Sequence, residues 1–424
     1  LDDLKFGHSR HGSLSRINPS HRFVSSIIVV LVVPRMSPRP NCAINYHPDG
    51  YKADRAQVKG RHAAGAGFLK GFIDHSGVDR LIAMTGSKSH FQDFQKVVKS
   101  LDTQRRETVW ARPLDLRTLR QAGAIFMPGP GFEEEAWNRR LGSERDFSLC
   151  GLTHTVASDR VVNSLGRYLT APTQPWDALI CTSTSVRAVV ERVIEQHASF
   201  LEERSGIRMH SPVRLPVIPL GVDCAFHAPG DSNAPLRAGL RARLNIAEND
   251  MAALFLGRLS FHAKAHPTPM LMAMERAAER ATDQTLHLLI VGQFPNEWIE
   301  KEFKEAAARF CRLARVHILS GAESETVRAA WRAADIFISL SDNIQESFGL
   351  TPIEAMAAGR AAPANQASLD QALDIATLSP SLATAQGTSD PTMTSSSRNL
   401  AGVRELLVRA IAEDPDHFIS SFRK

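Results

Sequence analysis

Short apolar runs alternate with longer helical patterns along most of this chain, and that alternation limits the fold more than any other feature. Residues 42–46, 80–84, 124–127 and 178–182 read as buried strands. Residues 63–72, 91–101, 159–169 and 185–203 read as helices between and after them. Residues 213–219 read as one more strand. A stretch rich in Pro, Gly, Ala and Arg follows at 224–249, with a short helix at 235–244. The alternation then resumes. Strands are expected at 253–256, 286–291, 316–319 and 335–340, with helices at 267–282, 298–313 and 323–333. A strand that runs into a helix returns to the sheet as a parallel neighbour, so each set predicts a doubly wound α/β domain.

With 424 residues the chain has room for two such domains, each with its own core. The expected boundaries are a first Rossmann-like domain at 36–223, a linker at 224–249, a second Rossmann-like domain at 250–359 and a divergent tail at 360–424. Ligands in open α/β sheets bind beyond the carboxyl ends of the strands, so the expected site is a cleft that the two domains face. Residues 361–398 are mostly Ala, Ser, Thr, Pro and Gln without a strand pattern, and 403–412 reads as a closing amphipathic helix. Residues 1–35 are expected to be an over-extended, non-native or disordered start, with Met36 as the true beginning.

Composition narrows the function. The net charge of +5 is spread along the chain, and no Lys/Arg block alternates with aromatics, which argues against nucleic acid. The pI of about 9.0 suits anionic ligands or peripheral contact with an anionic membrane face. The longest apolar run, 27–33, is far below the ~20 residues of a membrane helix. Cys42, Cys150, Cys181, Cys224 and Cys311 are scattered with no C-x-x-C pair, which predicts a reducing, cytoplasmic setting and no structural zinc. Pro128-Gly129-Pro130-Gly131 resembles part of a dinucleotide fingerprint. It lacks the third glycine, and the helix after it opens with Glu133-Glu134-Glu135, which would repel a pyrophosphate. Asp414-Pro415-Asp416 has an acid-x-acid form but no strand to carry it, and reads as a turn.

The chemistry-bearing residues concentrate in the second half. Glu346 and Glu354 stand with seven residues between them, joined by Ser347-Phe348-Gly349-Leu350 and a helix that opens at Pro352. Backbone N–H groups at such a helix start suit sugar or phosphate oxygens. Gly257-Arg258 follows the strand at 253–256, and Lys264 lies six residues after Arg258. Arg grips phosphate with two parallel bonds, and Lys adds a mobile point charge. In the first half, Gly60 and Gly65 flank the start of the helix at 63–72. A glycine-bearing loop there would let the backbone approach a phosphate or an acceptor, although glycines also serve plain packing.

Taken together, Gly257-Arg258, Lys264, Leu289-Ile290-Val291-Gly292, Ala334-Asp335-Ile336-Phe337-Ile338 and Glu346…Glu354 resemble the GT-B retaining glycosyltransferases of family four, glycosyl transferases group 1. Gly151-Leu152-Thr153-His154-Thr155 and Pro219-Leu220-Gly221-Val222-Asp223 fit the same family. The resemblance covers about 40–359 and is strongest over 253–359. It implies a hexosyl-type enzyme that uses a nucleotide sugar as substrate, without a cofactor or metal. The acceptor would be a glycan, a lipid-linked molecule or a small molecule, as in polysaccharide biosynthesis, at the inner face of the membrane or in the cytoplasm. It also implies roles. Arg258, Lys264 and Gly257, with Gly60 and Gly65, hold the diphosphate. Glu346, with Ser347 to Leu350, holds the sugar near the reacting carbon. Glu354 takes the ribose hydroxyls, and His154 positions the sugar. The family's reaction is front-face departure and attack, with the leaving phosphate as base.

One departure supports a second reading. The family follows Glu-Ala-Met-Ala-x-Gly with an apolar strand, whereas here Gly359 runs into Arg360-Ala361-Ala362-Pro363. Such an abrupt change is what a frameshift or truncation would produce. The alternative is therefore a degenerate, non-catalytic protein that binds a nucleotide sugar or a partner.

Overall fold

A computed structural model describes residues 41–51, 60–230, 234–261, 264, 266–340 and 348–360. The expectations for 1–35 and for the tail beyond Arg360 lie outside the described residues.

The first half builds a six-stranded parallel sheet. Its strands are β1 (Ala43–Asn45), β2 (Arg80–Met84), β3 (Glu107–Ala111), β4 (Ala124–Phe126), β5 (Ser148–Leu152) and β6 (Ala178–Ile180). Their order is β3-β2-β1-β4-β5-β6, so the winding reverses between β1 and β4. Alternate residues point to opposite faces. Ile82 and Met84 enter one core, and Leu81 and Ala83 enter the other. Both faces are covered, which is why these strands read as continuous apolar runs. Helices α1 (Pro48–Tyr51), α2 (Gly60–His75) and α3 (Lys88–Leu101) lie on the Leu81 side. Helices α4 (Leu116–Ala122), α5 (Glu133–Arg139), α6 (Asp159–Arg167) and α7 (Thr184–Ser205) lie on the other. Serines fix two of the helix starts. Ser87 accepts the His90 N–H at α3, and Ser183 accepts the Val186 N–H at α7.

A fully buried ion pair ties this domain together. Arg139 donates to Asp177 at 2.7 and 2.8 Å. Asp177 also accepts the N–H groups of Leu149 and Gln174, both at 2.8 Å. Nη1 and Nη2 also donate to the carbonyls of Phe147 and Pro172.

The second sheet comprises β7 (Met251–Leu256), β8 (Leu286–Gly292), β9 (Arg315–Ser320) and β10 (Ile336–Phe337). All pairings are parallel, in the order β10-β7-β8-β9. Helices α10 (Pro267–Arg280) and α11 (Glu297–Phe310) cover one face. Helices α9 (Ala234–Arg243), α12 (Ser324–Ala333) and α13 (Leu350–Ala357) cover the other. The helix expected within the linker is thus α9, and it packs on α12. Arg237 and Arg241 pair with Asp335 at 3.0 and 3.1 Å and reach carbonyls at the end of α12, where the helix dipole favours cations.

Between the two sheets runs α8 (Cys224–His227), capped by Asp223. Arg332 donates to the carbonyls of His227 and Phe226 at 2.9 and 3.2 Å. Trp331 meets the His227 ring edge-on, and Arg328 lies over Phe226. On the other side Lys70 of α2 pairs with Asp223 at 3.5 Å.

Several elements differ from the sequence reading. The strand β3 and the helix α4 were not anticipated. The expected strand at 213–219 pairs with β6 only through isolated bridges at Arg214 and Val217, because Pro216 between them has no N–H to donate. Pro48–Tyr51 forms the single helical turn α1, which was also not anticipated. Among the described residues, no helix is long and apolar enough to cross a membrane.

Candidate active site

The second sheet reverses its winding between β7 and β10. At such a switch point the loops leaving two neighbouring strands diverge and open a crevice at their carboxyl ends. The expected phosphate and ribose residues flank this point. Gly257 and Arg258 leave β7, and α13 with Glu354 follows β10.

The β7 loop is tightly turned. Ser260 donates to the Arg258 carbonyl at 3.0 Å, and Lys264 donates to the Ser260 carbonyl at 3.2 Å. The Lys264 stem therefore folds back over Gly257. A Cβ on Gly257 would lie 3.6 Å from Lys264 Cε, in ordinary contact. The floor beneath is closed by glycines. A Cβ on Gly292, at the end of β8, would fall 1.9 Å from the Gly257 carbonyl oxygen. A Cβ on Gly321, after β9, would fall 2.9 Å from Gly292 Cα. Only hydrogen fits at both positions, so three strand ends close up into a backbone platform. The sequence reading took Gly292 only as the end of a motif and missed Gly321. Their recurrence at the ends of successive strands was the available signal.

Gly349 caps α13 with φ of +79°, a left-handed conformation suited to glycine. The helix accordingly starts at Leu350, two residues before the expected Pro352, and Glu354 stands one turn inside it rather than at its tip. Phe348 and Ile353 are buried and anchor this turn. Glu354 keeps partial access to solvent, but its carboxyl is crowded by protein. Burial pushes it up to about 7, and Lys264 opposes the rise. Lys264 and Glu354 thus act on each other across the switch point. Glu346 and Ser347 lie outside the described residues.

The first-domain candidates are placed differently. His154 follows β5, half-buried, and a Cβ on Gly129 would lie 3.5 Å from its Cε1. It therefore stands at the carboxyl ends of β4 and β5. The glycine loop is corrected. Gly60 is the first residue of α2, and Gly65 lies inside that helix. A Cβ on Gly65 would sit 1.9 Å from the Gly50 carbonyl oxygen, so this glycine lets α2 close against α1. Among the described residues, no group of three or more His, Cys, Asp or Glu could hold a metal ion.

Two parallel α/β sheets of this kind form a GT-B architecture. Residues 237–364 match the family described as glycosyl transferases group 1. Among curated proteins, the D-inositol 3-phosphate glycosyltransferase of Geodermatophilus obscurus is 34% identical over 152 residues, which is 35% of this chain and 32% of that protein. The corresponding protein of Xylanimonas cellulosilytica is 32% identical over 148 residues, 34% of this chain and 33% of its own. The chain therefore spans about a third of the length of these relatives. Among solved structures, Anabaena HepE in complex with UDP and glucose superposes with a TM-score of 0.51 at 13% identity, covering 90% of this chain and 100% of that one. A glycosyltransferase from Rickettsia africae gives 0.51 at 15%, covering 88% and 94%. At these identities the likeness is one of fold.

Proposed function

We propose that this chain is a glycosyltransferase that moves a sugar from a nucleotide-sugar donor to a glycan, lipid-linked or small-molecule acceptor, with retention of configuration. One observation carries the reading. Gly257, Arg258 and Lys264 lie on the loop that leaves β7, and Lys264 acts on the Glu354 carboxyl of α13 across the switch point. The cations suit a diphosphate, whose charge grows as the glycosidic bond breaks. Neutralising it with Arg258 and Lys264 supplies what a metal would otherwise supply. The carboxylate suits the paired hydroxyls of ribose. In this reading Glu346 and the backbone of Ser347 to Leu350 hold the sugar, His154 positions it from the first domain, and the leaving phosphate accepts the acceptor's proton. The family match and the fold of a protein that holds UDP and glucose support it. The matched relatives share the donor-side stretch, so their named acceptor does not carry over with it. The setting we propose is the cytoplasm or the inner membrane face.

The second reading, a binder without turnover, is favoured by Arg360. Its guanidinium packs back toward the Arg332 carbonyl at 3.4 Å, where the family continues into an apolar strand. Incubation with UDP-, GDP- and ADP-sugars, following both binding and release of free nucleotide, separates the two. Release from one donor class supports the enzyme, binding without release supports the second reading, and neither result overturns both.

The ionisation of Glu354 gives a further expected result. Ribose hydroxyls donate to the carboxylate, so binding selects the deprotonated form. With the empty-site group near 7, affinity for whichever nucleotide sugar binds should be about tenfold weaker at pH 6 than at pH 8. Titration calorimetry on the unmodified protein and on Glu354→Gln checks this. The variant should bind weakly with no such pH dependence.

A further inference from the structure

The opposite end of the second sheet carries a cluster that the donor site does not use. Asp250 precedes β7, His287 is near the start of β8, and His317 is near the start of β9. Asp250 accepts the Thr285 N–H through Oδ1 and the Ala247 N–H through Oδ2, both at 2.9 Å. His287, only 1% exposed, lies 3.3 Å from Asp250 Oδ2 through Nε2 and 2.9 Å from His317 Nε2 through Nδ1. The chain Asp250–His287–His317 thus links the amino-terminal ends of β7, β8 and β9. Its outer members line an open pocket of about 540 Å³ together with Asn245 and Arg315, so solvent protons reach it.

The hydrogen positions follow from the bonding. An ionised Asp250 needs a donor, so His287 carries its proton on Nε2. Neutral His287 then accepts at Nδ1, and His317 must donate from Nε2. One added proton can sit on His317 Nδ1 without breaking any of these bonds. A second added proton places two N–H donors face to face across the His287–His317 contact, and that bond must break. The remaining charges oppose uptake. Arg315 faces both imidazoles, and Arg241, which donates to the Asp250 carbonyl at 2.7 Å, faces His287. Asp250 alone favours it at His287.

We propose that Asp250, His287 and His317 form a proton-controlled clasp across three strands, closed near neutral pH and opened by acidification. The sign is fixed by the geometry and the surroundings. Burial, first of all, holds both imidazoles below their ordinary value of 6.5. The unfolded chain therefore binds more protons below that value, and the clasp's stabilisation, present above it, is lost as pH falls.

The test is thermal unfolding of the full chain between pH 7.5 and pH 5, compared with His317→Gln. Glutamine can still donate to His287 Nδ1 but cannot titrate. The melting midpoint of the unmodified protein should fall at least about 3 °C further than that of the variant over this range. Parallel curves would overturn the clasp. Should the variant not fold, imidazole nitrogen spectra of the unmodified protein decide. Both rings should remain neutral Nε2–H tautomers at pH 7 and titrate below 6.5, and independent titration at the ordinary value would overturn the proposal.

Discussion

Arg258→Ala is expected to lower donor turnover by about 10²–10³-fold while leaving the melting temperature nearly unchanged. Removing one fixed charge or donor aimed at developing negative charge has costs of that order. Arg258 is half-buried on the loop after β7, and its backbone carbonyl accepts the Ser260 N–H that closes the turn. Alanine keeps that backbone bond. Because charge on the leaving diphosphate grows toward the transition state, the loss should appear mainly in kcat rather than KM. Arg258→Lys should recover only part of it, since a point charge replaces a two-pronged grip. Steady-state kinetics on whichever nucleotide sugar supports release, with a melting curve beside it, checks both halves. Unchanged turnover would remove Arg258 from the proposed phosphate site.

The second large effect concerns folding. Asp177→Ala should destabilise the first domain by about 3–5 kcal/mol, because it leaves the Arg139 charge buried and unpaired. It also strips acceptors from the Leu149 and Gln174 N–H groups. Asp177→Asn keeps the shape and some acceptors but loses the charge, and should cost less than alanine while remaining clearly destabilising. Urea unfolding followed by tryptophan fluorescence measures both. A loss under about 1 kcal/mol for the alanine variant would show that the pair contributes little beyond its volume.

Alternation of apolar runs revealed both sheets, because strands covered on two faces cannot hide their composition. Leu286 to Val291 is apolar at every position but His287. The edge strand β3 did not announce itself: Glu107, Thr108, Val109 and Trp110 are exposed or half-exposed, and so lack that signature. Pro216 was compatible with a strand by composition but not by hydrogen bonding. Arg258, Lys264 and Glu354 were legible as an ordered set of charges. What a linear reading could not supply was the strand order that puts β7 beside β10 and so brings Lys264 near Glu354. Nor could it separate Gly65, which serves helix packing, from glycines such as Gly292 that bring strand ends together. That difference lies in which backbone atom the missing Cβ would have met.

The fastening of α8 has a mechanical consequence. Residues 224–227 are bolted to α12 by Arg332, Trp331 and Arg328, so this segment must travel with the second domain as a flange on its frame. Any swing of one sheet against the other is then absorbed upstream, between Ile218 and Val222, where Pro219 shortens the pivot by stiffening one end. The Lys70–Asp223 ion pair sits across that pivot like a catch, and its release would set how freely the joint turns.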